Sequence, residues 1–301
     1  MVEDRKAVEV SHVYKSFGET TVVKDISFEV GAGEVFGLVG PNGAGKTTII
    51  RMLLDIIKAD SGEVKILGEV LQESTKNRIG YLPEERGLYR KITVSESLEY
   101  LAALKGFDRG LARERGKELL QRVGMLSHQR KKTDELSKGM GQLIQFLVTI
   151  IHDPDLVVLD EPFYGLDPVN VKLIKELILE LKERGKTIML STHMMNEVEE
   201  LCDRILMIDR GQAVLYGNLA EIKLRYRNNS VLLEGEGERD GIVGVTGSKD
   251  HGKYVELFLD GQTSPQEVLK SLMERGVRVD RFEVSTPSLN DIFIQVVEKG
   301  R

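Results

Sequence analysis

A short glycine-rich segment of the chain has the residue types and spacing of a phosphate-binding loop. Residues 40–47, Gly-Pro-Asn-Gly-Ala-Gly-Lys-Thr, match the pattern Gly-x-x-x-x-Gly-Lys-Ser/Thr. Glycine lets backbone N–H groups approach a polyphosphate closely, and the positive end of a following helix adds to the attraction. The lysine would contact the terminal phosphates, and the threonine hydroxyl would contact a bound Mg²⁺. The candidate binding residues are Asn42, Gly43, Ala44, Gly45, Lys46, Thr47 and Thr48.

The residues around this loop supply the context that the motif needs. The apolar run 35–39 predicts a buried strand before it, and Ile49, Met52 and Leu53 have the spacing of a helix after it. The alternative is a chance match, expected in roughly one chain in a hundred at the ordinary frequency of glycine. A strand before the loop and a helix after it favour the phosphate site over chance.

A second apolar run, residues 156–159, ends in two acids, Asp160 and Glu161. Asp160 would hold Mg²⁺ directly or through water, and Glu161 is placed to polarise an attacking water as a general base. Alone, such a segment is more often a strand that ends in solvent. Beside a phosphate-binding loop it predicts the second half of a site for phosphoryl transfer.

Strands and helices that could position these residues alternate over the first two thirds of the chain. Residues 187–191 predict another buried strand, and residues 93–151 are predicted to be mainly helical. Asp167 has the position of a helix N-cap, and Gly185 that of the residue ending the same helix. A hairpin is predicted over 205–216. The alternation predicts an α/β fold with a mostly parallel sheet.

The character of the sequence changes near residue 227. Predicted strands lie at 231–234, 254–259 and 277–284, with helices after Ser264 and over 289–297. His251 is isolated from other candidate ligands and is expected to be solvated. We therefore predict an α/β domain over 1–226 and a small α+β domain over 227–301.

Composition limits the functions that the chain can have. Its 301 residues carry a formal net charge of −6, which argues against a nucleic-acid partner. One cysteine, Cys202, allows no disulfide within the chain and fits a reducing compartment. No apolar run reaches the ~18–20 residues that span a bilayer, and the N-terminus lacks an apolar signal core. A cytoplasmic protein is expected, which would reach a membrane only through a partner.

Further segments resemble the motifs of ABC ATPases. Residues 136–140, Leu-Ser-Lys-Gly-Met, open a predicted helix and resemble the ABC signature, whose usual form is Leu-Ser-Gly-Gly-Gln. Residues 162–167 are similar to the family's D-loop, and residues 191–193 to the segment of its switch histidine. Phe17 occupies the position where the family stacks an aromatic ring on adenine. The resemblance covers roughly residues 7–220, with all motifs in the family's order.

This resemblance implies ATP and Mg²⁺ as cofactors and a head-to-tail pair of ATPase domains, each ATP lying between them. Ser137 and Gly139 would contact the γ-phosphate bound on a second copy of the chain or on a paralogue, and His193 would hold the γ-phosphate and orient the attack. Each residue also has a simpler interpretation. Ser137 would be an ordinary helix N-cap, His193 a solvated loop residue and Phe17 part of the core.

The chain departs from the family's motifs at three positions. Glu84 stands where the family usually has glutamine. Its carboxylate could still ligate Mg²⁺, although when ionised it cannot donate a hydrogen bond and would repel phosphate. Lys138 replaces a glycine and Met140 a glutamine of the signature. Lys138 would either add positive charge near the partner's ATP or be a solvated lysine.

Residues 81–89 and 93–98 resemble those of bacterial ABC-2-type exporter ATPases, including sodium- and drug-efflux subunits. The resemblance implies an ATP-hydrolysing subunit that powers a separate transmembrane permease at the inner face of the cell membrane. Residues 84–89 would receive the permease's coupling helix, a helical subdomain would cover about 88–155, and the C-terminal domain would be an accessory domain.

Two other functions are compatible with the motifs. One is a soluble ABC ATPase that remodels a protein or ribosomal partner. The other is a nucleotide-gated clamp that does not hydrolyse ATP. Intact Lys46, Asp160, Glu161 and His193 argue against the clamp.

Overall fold

The chain forms two compact units, Met1–Leu219 and Ala220–Arg301. The computed structural model describes residues 5–85, 87–227, 229–237 and 241–299. The boundary between the units comes a few residues before the change of composition near residue 227. The helix Leu219–Arg225 begins at this boundary. No helix among the described residues is long and apolar enough to cross a bilayer.

Strands and helices alternate in the first unit, and strands dominate the second. The strands of the described residues are β1 (Lys6–Phe17), β2 (Thr20–Gly31), β3 (Val35–Val39), β4 (Ser61–Ile66), β5 (Ile79–Leu82), β6 (Leu156–Asp160), β7 (Thr187–Thr192), β8 (Arg204–Asp209), β9 (Gln212–Asn218), β10 (Ser230–Glu236), β11 (Val245–Asp250), β12 (Val255–Leu259) and β13 (Arg278–Val284). The helices are α1 (Lys46–Leu53), α2 (Glu73–Lys76), α3 (Val94–Leu104), α4 (Arg109–Arg122), α5 (Lys138–Ile150), α6 (Pro168–Glu183), α7 (Met195–Leu201), α8 (Leu219–Arg225), α9 (Pro265–Glu274) and α10 (Leu289–Lys299), with 3₁₀ turns at Leu126–His128 and Thr133–Glu135.

The central sheet of the first unit has the strand order β5-β6-β7-β3-β8-β9. Its pairs are parallel except β8 with β9, which form the predicted hairpin. Every residue of β3, β6 and β7 is buried, as expected for strands covered on both faces. The sheet confirms the predicted α/β fold, and its order brings the carboxyl ends of β6, β7 and β3 side by side, where α/β folds bind ligands.

An antiparallel sheet of order β2-β1-β4 packs on the central sheet. The rings of Phe28 and Phe36 stack across the two sheets with their centroids 5.5 Å apart. This contact fixes β1 and β2 beside the phosphate-binding loop. The end of β1, which carries Phe17, is positioned by the same packing.

The helices α3, α4 and α5 form the region inserted between β5 and β6. The predicted capping box at the start of α3 is present, because Thr93 accepts from the Glu96 N–H and Glu96 accepts from the Thr93 N–H. Helix α5 packs directly on β5. A Cβ atom on Gly80 would lie only 2.2 Å from the Thr149 carbonyl oxygen, so a side chain at this position would separate helix from strand.

The second unit contains an antiparallel sheet of order β11-β12-β10-β13, with Val268 and Leu272 of α9 in its core. The predicted capping box at Ser264 is present. His251 is exposed, as predicted, but it is not isolated. Its ring stacks on Tyr254 with centroids 4.8 Å apart, and its Nε2 lies 3.3 Å from Glu256 Oε2.

We expect His152, which follows α5, to make the first unit sensitive to acid. Its Nε2 lies 3.2 Å from the Ile79 carbonyl oxygen, and burial, followed by the charge of Lys105, lowers the pKa of His152 to about 4. An unfolded histidine has a pKa of about 6.5, so the unfolded chain binds the proton more tightly below that pH. Above pH 6.5 this histidine does not lower the free energy of unfolding. At pH 4.5 it should lower the free energy of unfolding by about 2–3 kcal/mol.

Urea unfolding at both pH values measures this loss. The control is His152→Gln, whose amide can still donate to the Ile79 carbonyl but does not titrate. Its free energy of unfolding should fall less between pH 7 and pH 4.5 than that of the parent chain. An equal fall in both proteins would show that other groups cause the acid sensitivity.

Candidate active site

The loop between β3 and α1 requires its glycines. Gly43 and Gly45 have φ values of +79° and +108°, in the left-handed region. A Cβ atom on Gly40 would lie 2.2 Å from the Ile208 carbonyl oxygen. Gly45 is the N-cap of α1. The loop therefore leads into the positive end of a helix, which is the arrangement that binds anions.

The lysine of the loop is buried within the site, with only 6% of its surface exposed. Lys46 Nζ donates to the carbonyl oxygens of Gly40 at 2.8 Å and Pro41 at 3.2 Å, and it lies 3.8 Å from Glu161 Oε1. Burial lowers the pKa of Lys46, and the negative charges of nearby carboxylates, Glu161 first, oppose this effect. The amine is thus a desolvated cation held at the mouth of the loop.

Asp160, the last residue of β6, is completely buried. Among the described residues, neither of its Oδ atoms has a partner in hydrogen-bond geometry, although the hydroxyls of Ser191 and Thr47 lie nearby. Burial raises the pKa of Asp160. Two uncommitted carboxylate oxygens beside a threonine hydroxyl fit a hard divalent cation such as Mg²⁺. The described residues contain no group of three or more His, Cys, Asp or Glu that could hold a metal.

Glu161 is held by the neighbouring strand β7. Its φ of +49° is in the left-handed region, and its N–H donates to the Ser191 carbonyl oxygen at 2.9 Å. The buried carboxylate accepts from Thr192 Oγ1 at 3.1 Å on Oε2 and lies 2.9 Å from His193 Nδ1 on Oε1. The structure therefore brings His193 and Lys46 together around the carboxylate of Glu161. Sequence reasoning included Thr192 in the segment of the switch histidine but assigned it no role, because a threonine at the end of a strand is common.

Phe17 lies at the end of β1 with 52% of its surface exposed. Lys15 Nζ lies 5.5 Å from the centre of its ring. This exposure contradicts the alternative in which Phe17 packs in the core. The ring is available to a planar ligand.

Ser137 is the N-cap of α5, because its Oγ accepts from the Met140 N–H at 3.3 Å. The capping interpretation therefore describes its role within the chain. Ser137 is exposed, and an added Cβ on Gly139 would lie 3.7 Å from Leu166 Cδ2, just before α6, and 3.8 Å from Asn170 Nδ2 within α6. These neighbours lie in α5, in α6 and just before α6, and not in the Lys46–Glu161 cluster.

Glu84 is exposed on the segment that follows β5. Its charge acts on both Lys46 and Asp160, which places it in their electrostatic surroundings. The predicted docking segment 84–89 includes Arg86, which lies outside the described residues. Tyr89 of this segment is 52% exposed and packs edge-on against Tyr100, with centroids 5.5 Å apart.

The remaining candidates lie in the loop and the first turn of α1. Asn42 is exposed, Ala44 is buried, and Thr47 and Thr48 are half-buried. Two buried glutamines of α5, Gln142 and Gln145, were missed by sequence reasoning. The available signal was their position in an otherwise apolar helix, since a buried amide needs hydrogen-bond partners.

The chain is similar to known proteins over most of its length. A family model described as "ABC transporter" matches residues 23–164, and one described as "ATP-binding protein DrrA1-3-like, C-terminal domain" matches residues 217–297. The ABC transporter ATP-binding protein YhaQ of Bacillus subtilis is 40% identical, covering 96% of this chain and 97% of that protein. The chain belongs to the ABC transporter ATP-binding proteins.

Other members of the family agree with this assignment. The linearmycin resistance ATP-binding protein LnrL of Bacillus subtilis is 32% identical over 96% of this chain and 97% of its own length. A solved structure titled "Structure of ATP binding subunit of ABC transporter" superposes with a TM-score of 0.69 at 30% identity, covering 73% of this chain and 93% of that chain. The predicted membership in the ABC family, the fold and the ATPase activity that powers transport are confirmed.

Proposed function

We propose that the chain is the ATPase subunit of an exporter, and that it works as a head-to-tail pair with a second copy or a paralogue. The observation that supports the chemistry best is the cluster around Glu161. Lys46 of the phosphate-binding loop and His193 both approach the buried carboxylate of Glu161. The preceding residue, Asp160, has carboxylate oxygens without a hydrogen-bond partner among the described residues. A polyphosphate held by the loop would have its terminal phosphate at this cluster.

The residues of this cluster would divide the work of hydrolysis. Lys46 neutralises charge on the terminal phosphates, and Glu161 accepts a proton from the attacking water. Thr192 donates to Oε2 of Glu161, which fixes the carboxylate, and His193 holds the γ-phosphate and orients the attack. Asp160, Thr47 and Glu84 would hold Mg²⁺, which would supply positive charge to the phosphate oxygens when bound.

The exposed N-terminus of α5 supports the pairing. Ser137 and Gly139 present a hydroxyl, a backbone N–H and a positive helix end at the surface, all of which favour an anion. Two chains arranged head to tail would place this surface on the partner's γ-phosphate. Lys138, which is exposed beside it, adds positive charge at the same place.

Export is supported by the C-terminal unit and by relatives. The family model of the DrrA1-3-like C-terminal domain covers residues 217–297. The Nod factor export ATP-binding protein I of Paraburkholderia xenovorans is 40% identical over 70% of this chain and 70% of its own length. A separate permease at the inner face of the membrane would dock on residues 84–89, whose Tyr89 forms an exposed aromatic pair with Tyr100.

A pull-down from solubilised membranes of the source cells tests the proposal. Tagged Glu161→Gln protein with ATP and Mg²⁺ should retain a stoichiometric polytopic membrane protein, because slowed hydrolysis holds the closed complex. A parallel sample with EDTA is the control for nucleotide dependence. Recovery of only ribosomes or soluble proteins, from an extract shown to contain membrane proteins, would contradict the proposal and favour a remodelling ATPase.

We expect Phe17→Ala to weaken ATP binding by about 1–3 kcal/mol, the usual contribution of stacking a base on an aromatic ring. Tripolyphosphate has no base, so its affinity should not change. Isothermal titration of both ligands measures the difference. Tyr14→Ala, which removes another partly exposed aromatic ring of β1, is the matched control. Equal weakening of both ligands by Phe17→Ala would exclude a contact with adenine.

A further inference from the structure

Gln145 is a buried polar residue on an apolar face of α5, with 4% of its surface exposed. Its side-chain Nε2 donates to the carbonyl oxygens of Pro83 at 3.3 Å and Glu85 at 3.1 Å. These carbonyls belong to the residues immediately before and after Glu84. One amide group therefore holds the backbone on both sides of the exposed carboxylate.

The contact between α5 and β5 does not depend on this amide. Gly80 of β5 lies against the Thr149 carbonyl, as described above, and Thr149 Oγ1 lies 3.4 Å from the Tyr81 carbonyl oxygen. Gln145 reaches past the end of the strand to the segment that follows it. Within the described residues, its buried Oε1 has no hydrogen-bond partner. An apolar side chain would avoid this orphaned acceptor, so a stabilising role alone is a poor explanation for glutamine here.

The position of Glu84 matters to the site. Its negative charge acts on Lys46 and on Asp160, the two groups that would face the phosphates and the metal. Attraction and repulsion between such groups change steeply with distance where water is partly excluded. A carboxylate on a loose segment would therefore contribute much less than one held in place.

We propose that Gln145 is a positioning residue, whose amide fixes the backbone around Glu84 and thereby the place of that carboxylate relative to Lys46 and Asp160. The effect on metal binding rests on the role proposed above for Glu84. Gln145 lies on α5, the helix whose N-cap is Ser137 of the signature motif. The same amide therefore also links residues 83–85 to this helix.

Hydrogen exchange of the full-length chain tests the positioning directly. Gln145→Met, which keeps the length of the side chain but removes the donor, should speed exchange in peptides covering residues 83–89. Gln142→Met removes an amide of the same helix whose Nε2 donates to the Pro162 carbonyl oxygen at 3.4 Å, away from the residues beside Glu84, and it should leave that exchange unchanged. If Gln145→Met does not fold, Gln145→Leu removes the donor in a second way. Exchange as in the parent chain, in a folded variant, would overturn the positioning role.

Binding of Mn²⁺, a spectroscopic substitute for Mg²⁺, tests the consequence for the site. In the presence of a non-hydrolysable ATP analogue, electron paramagnetic resonance should show about tenfold weaker Mn²⁺ binding by Gln145→Met, the lower end for residues that orient a metal ligand. Glu84→Ala should weaken it at least as much. In the double variant, Gln145→Met should add nothing, because it acts through Glu84.

The two proposals fail in different ways. Unchanged Mn²⁺ binding by Glu84→Ala would overturn the metal role of Glu84, whatever the exchange data show. Weaker binding by Glu84→Ala together with parent-like binding by Gln145→Met would overturn the effect of Gln145 on the site. Additive losses in the double variant would show that Gln145 acts on the fold and not through Glu84.

Discussion

Replacing Glu161 by Gln should lower kcat for ATP hydrolysis by a factor of about 10²–10⁴ while ATP still binds. Glutamine has nearly the same shape and can remain beside Thr192 and His193, which lie 3.1 Å and 2.9 Å from the carboxylate. It cannot accept the proton of the attacking water. Steady-state phosphate release measures the loss of turnover, and equilibrium titration with a fluorescent ATP analogue measures binding.

Glu197→Gln is the matched control. Glu197 is also buried, and it pairs with Lys175 outside the cluster, so its replacement should leave kcat close to that of the parent chain. If Glu161→Gln retained the parent turnover, Glu161 would not be the general base. If it lost binding as well as turnover, its carboxylate would be needed to hold the loop and not only for the proton transfer.

Lys46→Met should weaken ATP binding by a factor of about 10–100, because charge-assisted hydrogen bonds contribute about 1.5–3 kcal/mol each. Hydrolysis should fall further, since this cation would also stabilise charge in the transition state.

Lys105→Met is the control for removing a buried lysine. Burial also lowers the pKa of Lys105, whose Nζ donates to the Lys76 carbonyl oxygen at 2.7 Å, away from the phosphate-binding loop. This variant should bind ATP as the parent chain does. Titration calorimetry with both variants distinguishes the predictions. Equal ATP affinity of Lys46→Met and Lys105→Met would show that Lys46 does not contact the phosphates.

Local signals in the sequence predicted the parts of the structure that depend on neighbouring residues. The phosphate-binding loop needs glycines at fixed places, and the capping boxes at Thr93 and Ser264 need partners three residues away. The buried strands β3, β6 and β7 were predicted because both of their faces are apolar. Strand β11 was missed because five of its six residues are exposed or polar, so it shows no alternation.

Contacts between distant segments could not be predicted in this way. The order β6-β7-β3 decides that Thr192 and His193 reach Glu161, and no pattern along the chain specifies that order. The hydrogen bonds of Gln145 join residues about sixty positions apart. His251 looked isolated because the turn between β11 and β12 brings it to Glu256, and no sequence motif marks this pair. Resemblance to a family supplied roles for single residues but not these contacts.

The strand β7 separates the two halves of the site, since β6 pairs with one of its edges and β3 with the other. Asp160 lies opposite Ser191, and Val39 lies opposite Thr192. A shift of β7 by one residue would turn Thr192 to the other face of the sheet and move His193 away from Glu161. Insertions in the helices that connect these strands leave the alignment untouched, whereas a single insertion inside β7 would destroy the site without replacing any of its residues.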